Sequence, residues 1–181
     1  MTKEEQFARE LKQSDADHHK PTAGAMTGHV IANLAIHEFK INQARLFAAG
    51  PTTVFLDHYA LNWISYEQQI FNALSQMLVN NEESIPTTTA QFAQFTMLEE
   101  NGADKYLPGD DQLFNLVKDF DTQTLFITKA IQLATKEQWP ELVDLLTELL
   151  AWIKQQISLT QRFLNHDLRE GLYNEEDDDD F

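Results

Sequence analysis

The side chains that could do chemistry in this chain are its six histidines and its twenty-nine aspartates and glutamates; cysteine is absent. A metal would therefore have to be held by imidazole and carboxylate, donors that suit iron, zinc and manganese. The spacing does not supply the usual patterns. No histidine has Glu three positions before it, the pairing that di-iron helical bundles use, and no His-x-x-x-His pair occurs. His29 and His37 share a helical face two turns apart with Asn33 between them, but no carboxylate cluster accompanies them, so both read as ordinary polar histidines. His18 and His19 sit in a polar stretch and would bind metal only adventitiously. Asp57 and His58 are neighbours on a helix and point in different directions. Glu137, Glu141, Asp144 and Glu148 recur at four, three and four and line one stripe. That stripe reads either as a solvated helix start, which the helix dipole favours, or as a surface that draws cations. No Ser/His/Asp arrangement stands out, no G-x-x-x-x-G-K loop is present, and aromatic and basic residues are not interleaved as in single-strand binders.

Composition narrows the classes further. A length of 181 residues with 43% apolar content, twelve Phe and three Trp is enough for one domain with a sizeable core. The start, Met1-Thr2-Lys3-Glu4-Glu5, lacks the basic and then apolar order of a secretory signal. No stretch approaches the roughly 20 apolar residues of a membrane helix. A soluble, cytoplasmic protein is expected, and the lack of cysteine agrees with a reducing compartment. The net charge is −16, with only thirteen Lys and Arg, which disfavours bare DNA as a partner because affinity for phosphates depends on basic residues. The sharpest charge block, residues 175–180, reads as a solvated tail, with weak cation collection as the alternative.

The elements that would position these groups are helices. Val30, Ile31, Leu34, Phe39, Ile41 and Phe47 form a first apolar series, which Ala49-Gly50-Pro51 ends. A second runs through Leu56, Tyr59, Trp63, Tyr66, Ile70, Leu74 and Met77, with Thr52 or Thr53 as its N-cap, and stops near Asn80-Asn81. Residues 88–95 predict a short helix carrying Phe92 and Phe95. Asp110 then caps a third long helix with Leu113, Leu116, Phe120, Thr124, Ile127 and Ile131 inward. Pro140 opens a fourth, with Leu142, Leu145, Leu146, Leu149, Ile153, Ile157, Thr160 and Leu164 on its core face. The fold class is all-α: a four-helix bundle with a short helix between the second and third long helices. Residues 3–13 predict an additional amphipathic helix, followed by a polar linker over 14–20. The domain reading is 1–20 as helix and linker, 21–168 as bundle, and 169–181 as acidic tail.

Local details narrow the bundle to a family. IANLAIHEFKINQ over residues 31–43, the Gly50 turn, the short helix in the middle connection and PELVDLLTELLAWIKQQISLTQRFL over residues 140–164 together resemble the Dps family. These are ferritin-like mini-ferritins that handle iron and protect DNA in starved bacteria. The resemblance covers most of the chain between Gly28 and Asn165. It implies a ferritin-like bundle, a homo-oligomer (a dimer or a dodecamer-like shell), and an iron-oxidation centre between two subunits. Family members hold that centre with His, His, Asp, Asp and Glu. The matching positions here are Arg45, Asp57, Leu61, Asn72 and Gln76. Arg45 carries a fixed cation with only donors, so it repels Fe2+. Leu61 is hydrocarbon, and Asn72 and Gln76 are uncharged. Asp57 alone keeps a metal-binding group. The expectation is a degenerate ferroxidase centre with little iron oxidation, in which Arg45 and Asp57 face each other across the subunit junction as an ion pair.

The resemblance also places Glu141, Asp144 and Glu148 near a cation-admitting pore. Iron is possible as cargo, but no complete di-iron site is expected. Three functions compete. The first is an iron-handling or stress protein without the usual oxidation chemistry. The second is a non-enzymatic scaffold that uses residues 3–13 and the acidic tail. The third is a DNA-protecting shell, which the family supports and the charge disfavours.

Overall fold

The computed structural model describes residues 1–172, leaving aside the side chains of residues 17–19. The acidic run at 175–180 and the side chains of His18 and His19 lie outside the described residues. Six α-helices follow in order: α1 (Lys3–His19), α2 (Ala23–Phe47), α3 (Pro51–Asn80), α4 (Thr89–Phe95), α5 (Gly109–Lys136) and α6 (Pro140–Phe163). A single 3-10 turn, Asp104–Tyr106, precedes α5. There is no strand among the described residues. The four long helices α2, α3, α5 and α6 form the bundle, and α4 lies against α2 in the connection between α3 and α5.

Side-chain pairs fix the directions. Lys40 meets Asp119, His37 meets Phe120 and His29 meets Phe126, so α2 and α5 run antiparallel. Phe55 on Phe163, Trp63 on Gln156 and Tyr66 on Trp152 make α3 and α6 antiparallel. α2 and α3 form a hairpin, so α3 and α5 are parallel. The chain between them must therefore travel the length of the bundle. It does so along α2, in the same direction as α2, and side chains of that helix hold its backbone. His29 Nδ1–H donates to the Phe95 carbonyl at 2.7 Å. Asn33 Oδ1 accepts from the Met97 amide at 2.8 Å and from the Thr96 hydroxyl at 3.0 Å. Lys40 donates to the Glu99 carbonyl and Gln43 to that of Asn101. From α5, Gln112 donates to the carbonyls of Lys105 and Leu107. These bonds satisfy polar backbone that no helix or sheet serves.

Trp63, Phe120, Leu74, Leu78, Leu142 and Leu146 are among the fully buried side chains that fill the centre. Several expectations need correction. Phe39 and Phe47 are not core residues; they are 62% and 49% exposed, off the buried stripe of Val30, Leu34, Ile41 and Ala44. α1 continues to His19, so the expected linker is largely helical, and Pro21 marks the break. Neither Thr52 nor Thr53 caps α3. Gly50 holds the cap position at φ +76°, and Pro51 takes the first helical position. Asp110 is not the cap of α5, which starts at Gly109 after Pro108. Its carboxylate instead accepts from the Thr52 hydroxyl, joining the starts of α3 and α5. The short middle helix is present as expected, capped by Thr88 with Gln91 completing a capping box, and Pro140 opens α6 as expected.

Gly109 marks a close approach. A Cβ there would meet the Ala49 carbonyl oxygen at 2.4 Å. Because that atom is backbone at the mouth of the α2–α3 turn, relief requires a helix to move. Gly109→Ala is expected to destabilise the subunit by about 1–3 kcal/mol, the usual range for overpacking. Thermal unfolding of the variant beside the parent measures this, and an unchanged midpoint would contradict the close approach.

Candidate functional site

Four of the five positions singled out above lie on α3. At 100° per residue, Asp57, Leu61, Asn72 and Gln76 fall within an arc of about 100°. All four are exposed in the single subunit, on the side of α3 that faces away from its own bundle. Gln76 donates to Asn80 at 2.8 Å, along the same helix. Arg45 sits in the last turn of α2, where the helix dipole favours a cation. It is half-buried, its Nη2 donates to Asn42 Oδ1 at 3.1 Å, and its Nε is buried without a partner. Within one subunit Arg45 and Asp57 make no ion pair. Together the five positions offer one carboxylate, one guanidinium, two amides and one hydrocarbon, so a single one of them is an anionic donor. Among the described residues no group of three or more His, Cys, Asp or Glu side chains is placed to hold a metal ion.

In the acidic stripe, Glu141, Asp144 and Glu148 are exposed along the first half of α6. Glu137 is drawn away to the start of α2, where its carboxylate accepts from the Ala23 amide at 2.9 Å. Glu148 accepts from the Tyr66 hydroxyl at 3.4 Å. Tyr66 stacks on Trp152 at 4.3 Å, and its phenol is pushed up to about 12 by partial burial first and the Glu148 charge second.

A third cluster escaped the sequence reading. His37 is not a surface histidine; it is 0% exposed. Its Nδ1–H donates to both oxygens of Glu67, at 2.8 and 3.0 Å. Glu67 is 1% exposed and comes from α3. Nearby, Asp119 of α5 pairs with Lys40 of α2 at 2.9 Å. Burial alone pulls the His37 imidazolium down, but Glu67, by charge and hydrogen bond, and then Asp119 outweigh it. His37 therefore keeps its proton above the ordinary 6.5. Burial is also the largest influence on Glu67 and on Asp119, and it raises both carboxyls against the pull of His37 and, for Asp119, of Lys40. All three shifts have one sense: the folded cluster binds protons more tightly than its separate side chains would. Position on the apolar stripe was the available signal. Glu67 stands between Trp63 and Ile70, and His37 between Leu34 and Ile41, at core spacing on both helices.

No family model and no curated protein sequence matches the chain. Solved structures do. The DpsB protein of Lactococcus lactis is 34% identical, with 91% of this chain and 95% of that chain covered and a TM-score of 0.84. For the DpsA protein of the same organism the identity is 31%, the coverage 93% and 99%, and the TM-score 0.84. Dps from Listeria monocytogenes, at 21% identity, 82% and 97% coverage and a TM-score of 0.78, shares the fold. The helical order, the short helix in the crossover and this level of identity over nearly the whole length agree: the chain belongs to the Dps family.

Proposed function

We propose that the protein is a Dps-type homo-oligomer with a stress or iron-handling role, in which the family's oxidation centre has been replaced by an ion pair between subunits. The observation that carries this reading is the outer stripe of α3. Asp57, Leu61, Asn72 and Gln76 are lined up where the family resemblance puts iron ligands, and with Arg45 they offer a single anionic donor. Bare apolar side chains support assembly: Phe39, Leu46, Val54 and Leu61 are each more than half exposed on one subunit, which is what a subunit interface leaves when it is taken apart. The buried, unpartnered Nε of Arg45 supports an acceptor supplied from outside the subunit, and Asp57 of a second copy has the right charge. The exposed carboxylates Glu141, Asp144 and Glu148 would line a route for cations into the shell, with iron as cargo rather than a bound cofactor.

A second reading is a scaffold role without iron. The exposed Phe7 and Leu11 of α1, one turn apart, favour it. Light scattering separates the two, since a hollow multi-subunit particle supports cargo handling and a bare dimer supports the scaffold. DNA coating ranks third, given the charge of −16.

Mixing the protein anaerobically with Fe2+ and then adding peroxide is expected to give no rapid oxidation in proportion to subunits. A fast stoichiometric phase would contradict the loss of the centre. Arg45→Ala, Asp57→Ala and their combination form a double-mutant cycle on assembly stability. A coupling of about 0.5–3 kcal/mol is expected for residues in contact. Additive effects would show that the two charges do not meet.

A further inference from the structure

The three buried ionisable groups do more than fill space, because half-buried Lys40, paired with one of them, also holds the crossover. Fully ionised, His37 and Lys40 balance Glu67 and Asp119. Lys40, on the outer side of the cluster, donates at once to Asp119 and to the Glu99 carbonyl of the crossover. One helical turn on, Gln43 holds Asn101. Beside Lys40 lies a cavity of about 20 Å³ lined by Asp104, Gln112 and Asn115 among others, room for one water. Two atoms in the cluster have no partner, His37 Nε2 and Asp119 Oδ2, and Gln112 Oε1 at the cavity has none either.

We propose that this cluster is a proton-operated clamp: with His37 protonated, the seam between α2 and α5 stays shut and residues 97–107 are pinned, and loss of that proton releases them. Without the imidazolium, two carboxylates in a dry interior face a single ammonium. An uncompensated buried charge is strongly unfavourable, and water entry relieves it. The near route for water is the Lys40 side, where entry competes with the bonds to Glu99 and Asn101. The charged groups acting on the cluster are Glu38 and Lys40 from α2, Glu67 from α3, Asp119 from α5, and Asp104 from the crossover. The sense follows from linkage. A group that binds its proton more tightly when folded contributes fully below its unfolded value and loses that contribution as pH rises through its folded value. The clamp is closed below the ordinary imidazole value and opens as pH rises through the higher value of the folded state.

Hydrogen–deuterium exchange on the assembled protein between pH 6 and 9, corrected for intrinsic exchange, tests this. Protection of the amides in residues 97–107 is expected to fall above the His37 titration by up to about tenfold per pH unit, the limit for one linked proton. Amides of α6 serve as the reference and are expected to stay unchanged. His37→Gln is expected to leave the segment fast-exchanging at every pH. The double variant His37→Leu with Glu67→Leu removes the charge pair together, leaves Lys40 and Asp119 balanced, and is expected to abolish the pH dependence. That variant and the parent decide the matter even if His37→Gln does not fold. Parent protection that is flat with pH, or a pH dependence that survives in the double variant, overturns the clamp.

Discussion

Because α3 and α5 run parallel, the chain between them has to cross the whole length of the bundle with only one short helix and one 3-10 turn of its own. Long irregular segments carry amides and carbonyls that need partners. α2 supplies them. One stripe of this helix, Val30, Leu34, Ile41 and Ala44, is buried in the core, while His29, Asn33, Lys40 and Gln43 reach the crossover backbone. α5 adds Gln112, which is buried and donates to the carbonyls of Lys105 and Leu107. His37 lies on the buried stripe, and its partner Glu67 is brought in by the α3 side of the hairpin.

Replacing a buried ion pair by hydrocarbon of similar volume is often neutral or stabilising, so the pair at His37 and Glu67 is weak evidence for stability. Its orientation is informative instead. Both Glu67 oxygens accept from one ring nitrogen, and Phe120 lies edge-on to the imidazole at 4.7 Å, which fixes the ring between α3 and α5. The pair thus sets the level at which three helices meet, a role that uniform apolar packing fills less sharply.

Helices and their order were legible in the sequence because apolar residues recur at three and four throughout, and Gly50, Pro86 and Pro140 fall between them. The ends were less legible. A threonine ahead of an apolar run resembles an N-cap whether its hydroxyl turns back to the helix or, like that of Thr52, reaches across to Asp110. Phe39 and Phe47 belong to the first apolar series yet lie off its buried stripe, because a series drawn by residue type ignores angular position. The opposite holds for His37, which reads as a polar histidine although its spacing puts it inside; Glu67, which carries no reading of its own in the sequence, has the same core spacing on α3. A polar residue on an apolar stripe has to find a partner, and with two such residues on adjacent helices the partner was already in the sequence. The exposure of Asp57, Leu61, Asn72 and Gln76 on one side of α3 follows from their spacing, whereas what they would meet in a second copy lies beyond a single chain's sequence pattern.

A metal held by ligands from two subunits also ties them together, so a chain that gives up the ligands gives up that tie. In the proposed pairing, Arg45 and Asp57 restore the attraction without a redox-active ion. A guanidinium stays charged over the whole accessible pH range, and a carboxylate is ionised well below neutrality. The junction would therefore hold through the same pH interval in which His37 titrates. On these two proposals the polar features would divide the work: attraction between subunits at Arg45 and Asp57, and a proton-responsive connection within each subunit at His37. A shell built this way could change the mobility of its crossover segments without coming apart, whereas a histidine-ligated metal at the junction would make assembly itself depend on pH through competition between protons and metal for the ligands.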